Sequence, residues 1–240
     1  MAAINIIGDG RVGSTLRALH QSHGDEICTD GDVVIFAVPD DQISAAASSY
    51  IDDQQCGSKL FVHLSGVHGL QPLMPLQELG GQIAALHPIM QFVSSEQDIL
   101  NLQSSFVSVL AGSDEARVRC HRLISTWGAT AIDLNDSVER AKYHLALSLA
   151  SNHVTALLAW SKQLLDPCLG ELSGQVVSQM AARAVEAANI SQPLDSLTGP
   201  VVRGDEHTIQ QHLSSLDDSQ RQRYEGLLLN LQALVDERNS

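Results

Sequence analysis

The stretch Ala3–Gly13, AINIIGDGRVG, decides the fold. Ala3–Ile7 is a short apolar, β-prone run. Gly8–Gly13 follows at once and fits the pattern G-x-G-x-x-G, and Val12–Gln21 then reads as a helix start. Gly8 permits the tight turn, Gly10 lets the backbone approach a pyrophosphate, and Gly13 lets helix and strand pack closely. The helix start offers free N–H groups and a positive dipole end to phosphates. Strand, glycine loop and helix in this order predict a Rossmann-type βαβ unit. Its cofactor contacts are Gly8, Gly10, Arg11, Val12 and Gly13. A tight βα turn that binds nothing carries the same pattern and stands as the alternative.

Outward from this unit, more strands alternate with helical stretches. Asp32–Val38 (DVVIFAV) is a continuous apolar, β-branched run of the kind buried on both faces of a sheet. Val38 and Pro39 close it at the ligand edge and join the cofactor-binding candidates. Lys59–Leu64, Gln82–Leu86, Phe106–Leu110 and Thr130–Leu134 read as further strands, with helical spacing over Asp114–Thr126 between the last two. The expectation is an α/β fold with a parallel, doubly wound sheet. From Asn135 onward no strand is legible. Ser137–Leu165, Glu171–Asn189, Asp205–Leu216 and Ser219–Arg238 read as helices. The domains predicted are therefore 1–135, Rossmann-type and dinucleotide-binding, and 136–240, all-helical, for substrate and dimerisation.

Composition narrows the function. The chain has 240 residues, 44% of them hydrophobic, and a net charge of −14. That surface repels nucleic acid, and no basic stripe interrupts it. No apolar run reaches the ~18 residues of a membrane span. Met1-Ala2-Ala3 leads straight into a strand, so no signal peptide is expected. The four cysteines are scattered and suit a reducing, cytoplasmic setting. The ten histidines show no metal-ligand spacing, so no metal is expected and they read as surface residues on polar helices.

The acidic residue expected about twenty positions beyond the glycine loop is Asp30. As a ribose ligand it favours NAD over NADP; as part of Asp30-Gly31-Asp32 it is a turn residue. Asp9 sets a carboxylate beside the proposed pyrophosphate, where Arg11 is the cation at hand. Three strand ends form the ligand edge, carrying Pro39, His63 with Ser65, and His87. His63 reads as catalytic, and Ser65 and His87 as substrate-binding, against a capping role for Ser65 and His63. On the helix from Ser137, His144, Ser148, Ser151 and Asn152 lie within about 80° of one another at ~100° per residue. His144 suits a general acid and Asn152 an orienting group, against a buried structural network. Thr198-Gly199-Pro200 and Arg203-Gly204-Asp205 form a shaped loop between helices. There Thr198 and Arg203 are substrate-binding candidates, Arg203 as a carboxylate clamp or merely a loop-holding residue. His63, His87, His144, Asn152 and Arg203 are expected to converge on one cleft.

FAVPDDQI (Phe36–Ile43), HLSG (His63–Gly66), LHPIMQF (Leu86–Phe92), YHLALSLASN (Tyr143–Asn152) and LTGPVVRGD (Leu197–Asp205) carry a family resemblance. The chain resembles bacterial proteins that join a Rossmann-like domain to a C-terminal helical domain of unknown function. These look like distant relatives of pyrroline-5-carboxylate reductase and the 6-phosphogluconate dehydrogenase superfamily. The resemblance implies an NAD(P)-type oxidoreductase fold, a homodimer built through the helical domain, and no particular substrate. Two departures are visible. Only residues 23–32 separate the first helix from the strand at Val33, where relatives wall the adenine pocket. The Lys-x-x-x-Asn spacing of β-hydroxyacid dehydrogenases is absent after Lys142. The expected function is an NAD(P)-dependent oxidoreductase for a small carbonyl, imine or hydroxy acid. The alternative is a non-catalytic sensing or assembly protein on a decayed scaffold.

Overall fold

The apolar runs become a seven-stranded sheet of order β2-β1-β3-β4-β5-β6-β7. The computed structural model describes residues 3–51, 56–93, 96–135 and 137–239. The sheet region runs β1 (Ala3–Ile7), α1 (Arg11–Ser22), β2 (Glu26–Ile27), β3 (Val33–Phe36), α2 (Ile43–Ser48) and β4 (Leu60–His63). It continues with α3 (Met74–Glu78), β5 (Gln82–Pro88), α4 (Gln97–Gln103), β6 (Phe106–Ala111), α5 (Asp114–Thr126) and β7 (Thr130–Asp133). The helices after it are α6 (Arg140–Ser148), α7 (Val154–Leu169), α8 (Ser173–Ile190), α9 (Pro200–Arg203), α10 (Glu206–Ser214) and α11 (Asp218–Asn239).

The fold is α/β of the Rossmann type with a helical C-terminal region, as expected. Val34, Ile35 and Phe36 of β3 are fully buried, because helices cover both sheet faces. One layer packs Leu16 and Leu19 of α1 and Ile124 of α5 with Trp127 against the sheet. The other packs Ile43, Ala47, Leu73 and Leu76 against Phe36 and Phe61. His20 belongs to the first layer and is fully buried, contrary to its reading as a surface residue. Its Nδ1 donates to Asp25 at 2.8 Å, and its Nε2 accepts from the Trp127 indole at 2.9 Å. Indole N–H only donates, which fixes that tautomer.

Four details depart from the sequence reading. First, β5 and β6 pair antiparallel, with His87 opposite Ser108. The link through α4 begins and ends at one edge of the sheet, so no crossover returns the chain. Second, residues 23–32 hold a second strand after all, β2, though only two residues long. Third, the helix expected over Ser137–Leu165 starts at Arg140 and is interrupted by a π turn at Leu149–His153. Fourth, the loop after Thr198 contains α9, stopped by Gly204 in the left-handed region.

The chain divides into two compact units, Met1–His153 and Val154–Ser240. The boundary read from sequence was 135/136, and Asp136 lies outside the described residues. The division falls later because α6 engages the sheet: Tyr143 bonds His87 of β5, and Arg140 bonds the loop after β4.

Candidate functional site

The glycine loop has the shape a pyrophosphate needs. Gly8 has φ +111°, which only glycine adopts without strain. A Cβ there would overlap the Ala37 carbonyl oxygen, and one on Gly13 would overlap that of Gly8. These two glycines close β1, α1 and the segment after β3 upon one another, with Val38 also against Gly8. A Cβ on Gly10, by contrast, would meet nothing within 4 Å. Gly10 is also the N-cap of α1, which has no side-chain cap and no acidic residue in its first turn. Open space before uncapped N–H groups fits the phosphates of a dinucleotide. Asp9 pairs with Arg17 at 2.9 Å rather than with Arg11. Arg17 also donates to the carbonyls of Ile6 and Gly8 and so braces the loop from behind. Arg11 reaches instead toward the Phe92 carbonyl at 3.4 Å. Asp30 follows β2 and is exposed; Asn5 and Lys59 hold the backbone around it.

The strand ends that follow are unequal in what they offer. His63 is fully buried. Its Nε2 donates to Gly69 O at 2.7 Å, and its Nδ1 accepts from the Ser65 N–H at 3.2 Å. With both nitrogens engaged by backbone, the ring builds the turn. This corrects the reading of His63 as catalytic. Ser65 is likewise a turn builder. Its hydroxyl accepts from the N–H groups of Val67 and His68 and donates to Asp40 at 2.8 Å. Burial pushes the His63 pKa down to about 4, so the ring is neutral at pH 7.

The chemistry gathers where α6 meets β5. The His87 and His144 rings lie 5.7 Å apart, centroid to centroid. His87 Nδ1 lies 3.1 Å from the Tyr143 hydroxyl. Gly66 sits directly under this pair, because a Cβ there would overlap His144 and lie 2.9 Å from His87 Nε2. Burial pushes the His87 pKa down to about 4, helped by His144 and Arg140 and opposed by Asp40. Burial raises the Tyr143 phenol, with Ser108 and Arg140 acting against it. One turn earlier on α6, Arg140 donates from Nη2 to Ser65 O at 2.8 Å. Asn152, in the π turn, accepts from Gln91 just beyond β5 at 3.2 Å.

Of the residues expected to converge, His87 and His144 touch, and Asn152 reaches the same strand's following loop. His63 lies beneath that surface rather than on it. Arg203 and Thr198 belong to the second unit. There Arg203 ends α9, is exposed, and stands 3.9 Å from Asp205. Arg140, Tyr143 and Ser108 escaped the sequence reading. The signal for the first two was their i, i+3, i+4 spacing with His144. Among the described residues no group of three or more His, Cys, Asp or Glu could hold a metal ion. No helix of the described residues is long and apolar enough to cross a membrane.

A family model described as "Domain of unknown function (DUF2520)" matches residues 106–230. Comparison with curated proteins gives no match. Among solved structures, the chain is similar to a candidate NADP oxidoreductase from Bacteroides fragilis. The identity is 20% and the TM-score 0.79, over 97% of this chain and 98% of that one. It is similar to a Plasmodium falciparum pyrroline carboxylate reductase with NADP bound (14%, TM-score 0.59, 98% and 96% covered). It is also similar to an Aspergillus terreus imine reductase in complex with NADPH4 and a dibenzazepine (12%, TM-score 0.66, 99% and 99% covered). At such identities the likeness establishes the fold alone.

Proposed function

The chain belongs to the family of the domain of unknown function DUF2520, and from that premise we propose a nicotinamide-dependent oxidoreductase acting on a small carbonyl, imine or hydroxy acid. The observation that carries this reading is the His87–His144–Tyr143 group packed over Gly66, on a sheet whose first strand ends in a dinucleotide-shaped glycine loop. A bound nicotinamide supplies the hydride chemistry. Gly8, Gly10 and Gly13 hold the phosphates, with Arg11 and Val12 in the same loop and Val38 and Pro39 beside it. His144 gives or takes the proton at the substrate oxygen or nitrogen. His87, kept neutral by burial, positions His144 and excludes water. Asn152 orients the substrate beside Gln91. Asp30 favours NAD(H), because its carboxylate accepts from a ribose hydroxyl and repels a 2′-phosphate.

A homodimer fits the distribution of apolar surface. Leu145 and Leu149 are 53% and 50% exposed, although the segment Leu145–Leu158 is apolar nearly all round. In the second unit, α7 contains no buried residue, and a pocket of about 560 Å³ lined by Leu157, Leu164 and Leu227 opens beside it. The free thiols of Cys28, Cys120 and Cys168 suit a reducing cytoplasm.

The test is a paired fluorescence titration with NADH and NADPH. Saturable binding with NADH the tighter ligand is expected. Tighter NADPH overturns the preference alone. No binding of either at millimolar concentration overturns the oxidoreductase reading in favour of a non-catalytic scaffold.

A further inference from the structure

Arg140 is nine-tenths buried, with 9% of the residue exposed. Its Nη2 donates to the Ser65 carbonyl, and its Cζ lies 5.3 Å from the Tyr143 ring centroid. Nε and Nη1 are buried and have no hydrogen-bond partner among the described residues. No ion pair to Arg140 occurs among the described residues. A guanidinium remains charged in a protein and has only donors. Burying it without a counter-charge is costly, and buried charges are ordinarily paired. Among the described residues, the groups recorded against it are a carbonyl and a phenol, with the rings of His87 and His63 in electrostatic reach. The nearest carboxylate in electrostatic reach of those rings, Asp40, accepts from Ser65.

We propose that Arg140 binds the carboxylate of the substrate, which narrows the substrate class to carbonyl or imine compounds that carry a carboxylate. This rests on the oxidoreductase reading of the site. Arg140 and His144 are four residues apart on α6 and therefore share one face. A ligand whose carboxylate meets the unpartnered nitrogens presents its adjacent carbon toward His144. Substrates in which the two groups are neighbours, such as 2-oxo acids and cyclic imino acids, match that spacing. The ligand's negative charge supplies what the fold leaves out, and charge-assisted bonds of this kind are the strong ones. Arg140 also lowers the His87 pKa, and a carboxylate placed on it weakens that influence.

The experiment follows the imidazole NMR signals of His87 and His144 in the full chain, titrated with acetate, acetamide and inorganic phosphate. Acetate is expected to give a saturable shift and acetamide none. R140Q weakens acetate about tenfold or more, the loss of one charge-assisted contact. R140K, which keeps the charge, retains a weaker response and decides the matter if R140Q fails to fold. Equal responses to acetate and acetamide overturn the proposal. So does wild-type acetate binding in folded R140Q or R140K, which leaves Arg140 as a brace for the Ser65 turn. A response to phosphate in place of acetate overturns the carboxylate assignment. NADH titration of the same samples reports the oxidoreductase reading separately. If acetate fails while NADH binds, only the carboxylate inference falls.

Discussion

Acid destabilises this fold through its buried histidines, and at His63 and His87 the size of the effect follows from their surroundings. His63 and His87 both have pKa values pushed down to about 4, chiefly by burial. In the unfolded chain each titrates near 6.5. Below pH 6.5 the unfolded chain therefore takes up protons that the folded chain refuses. The stabilisation is complete above pH 6.5, declines as pH falls, and is lost entirely below about 4. At pH 5 each such histidine lowers stability by about 2 kcal/mol relative to pH 8, so the pair removes about 4 kcal/mol. His87 is partly exposed, and solvent trims its share. Domains of this kind have only about 5–15 kcal/mol to lose. The assay is urea unfolding of wild type and His63→Gln at pH 8 and pH 5. Glutamine keeps a donor for the Gly69 carbonyl but takes up no proton. It should lower stability at pH 8 and make the decline to pH 5 shallower by about 2 kcal/mol, while carboxylate effects common to both proteins cancel. Parallel declines for the two proteins refute the reasoning.

Gly66→Ala tests the packing of the site. The new methyl meets His144 and His87, and His87 is fixed in β5, so His144 must yield. Overpacking of this kind costs about 1–3 kcal/mol. Urea unfolding should show that loss, and the His144 NMR signal should shift while NADH binding persists. Unchanged stability together with an unchanged His144 signal contradicts the described contact. The dimer is tested by light scattering: wild type should show twice the chain mass, and Leu145→Asp with Leu149→Asp should reduce it to the monomer. A monomeric wild type at micromolar concentration ends that reading.

What was legible in the sequence is what depends on short-range constraint. The order AINII then GDGRVG admits few backbone paths, and Gly8 and Gly13 are glycines because carbonyls occupy the places of their Cβ atoms. The apolar strand runs were readable because burial on both faces leaves no polar alternation to confuse them. The antiparallel β6 was not readable, since ladder direction depends on where the preceding link returns the chain. Asp9 was misjudged for a similar reason. Its cation, Arg17, reaches it across a turn of α1 that adjacency in the loop does not reveal.

The candidate face was found at one end only. His144 was identified, but its face was followed forward to Ser148, Ser151 and Asn152, through a π turn that shifts the phase of every later residue. Followed backward, the same face holds Tyr143 and Arg140, where the helix is regular and its side chains meet β5 and the Ser65 turn. A helical stripe is informative only while its period holds. Here the regular half carries the buried charge and the hydrogen bond to His87, while the irregular half carries Asn152 to the loop beyond β5. The interruption thus lets one helix serve two strand-end positions. With the π turn in place, Asn152 meets Gln91 beyond β5 while His144 lies against His87.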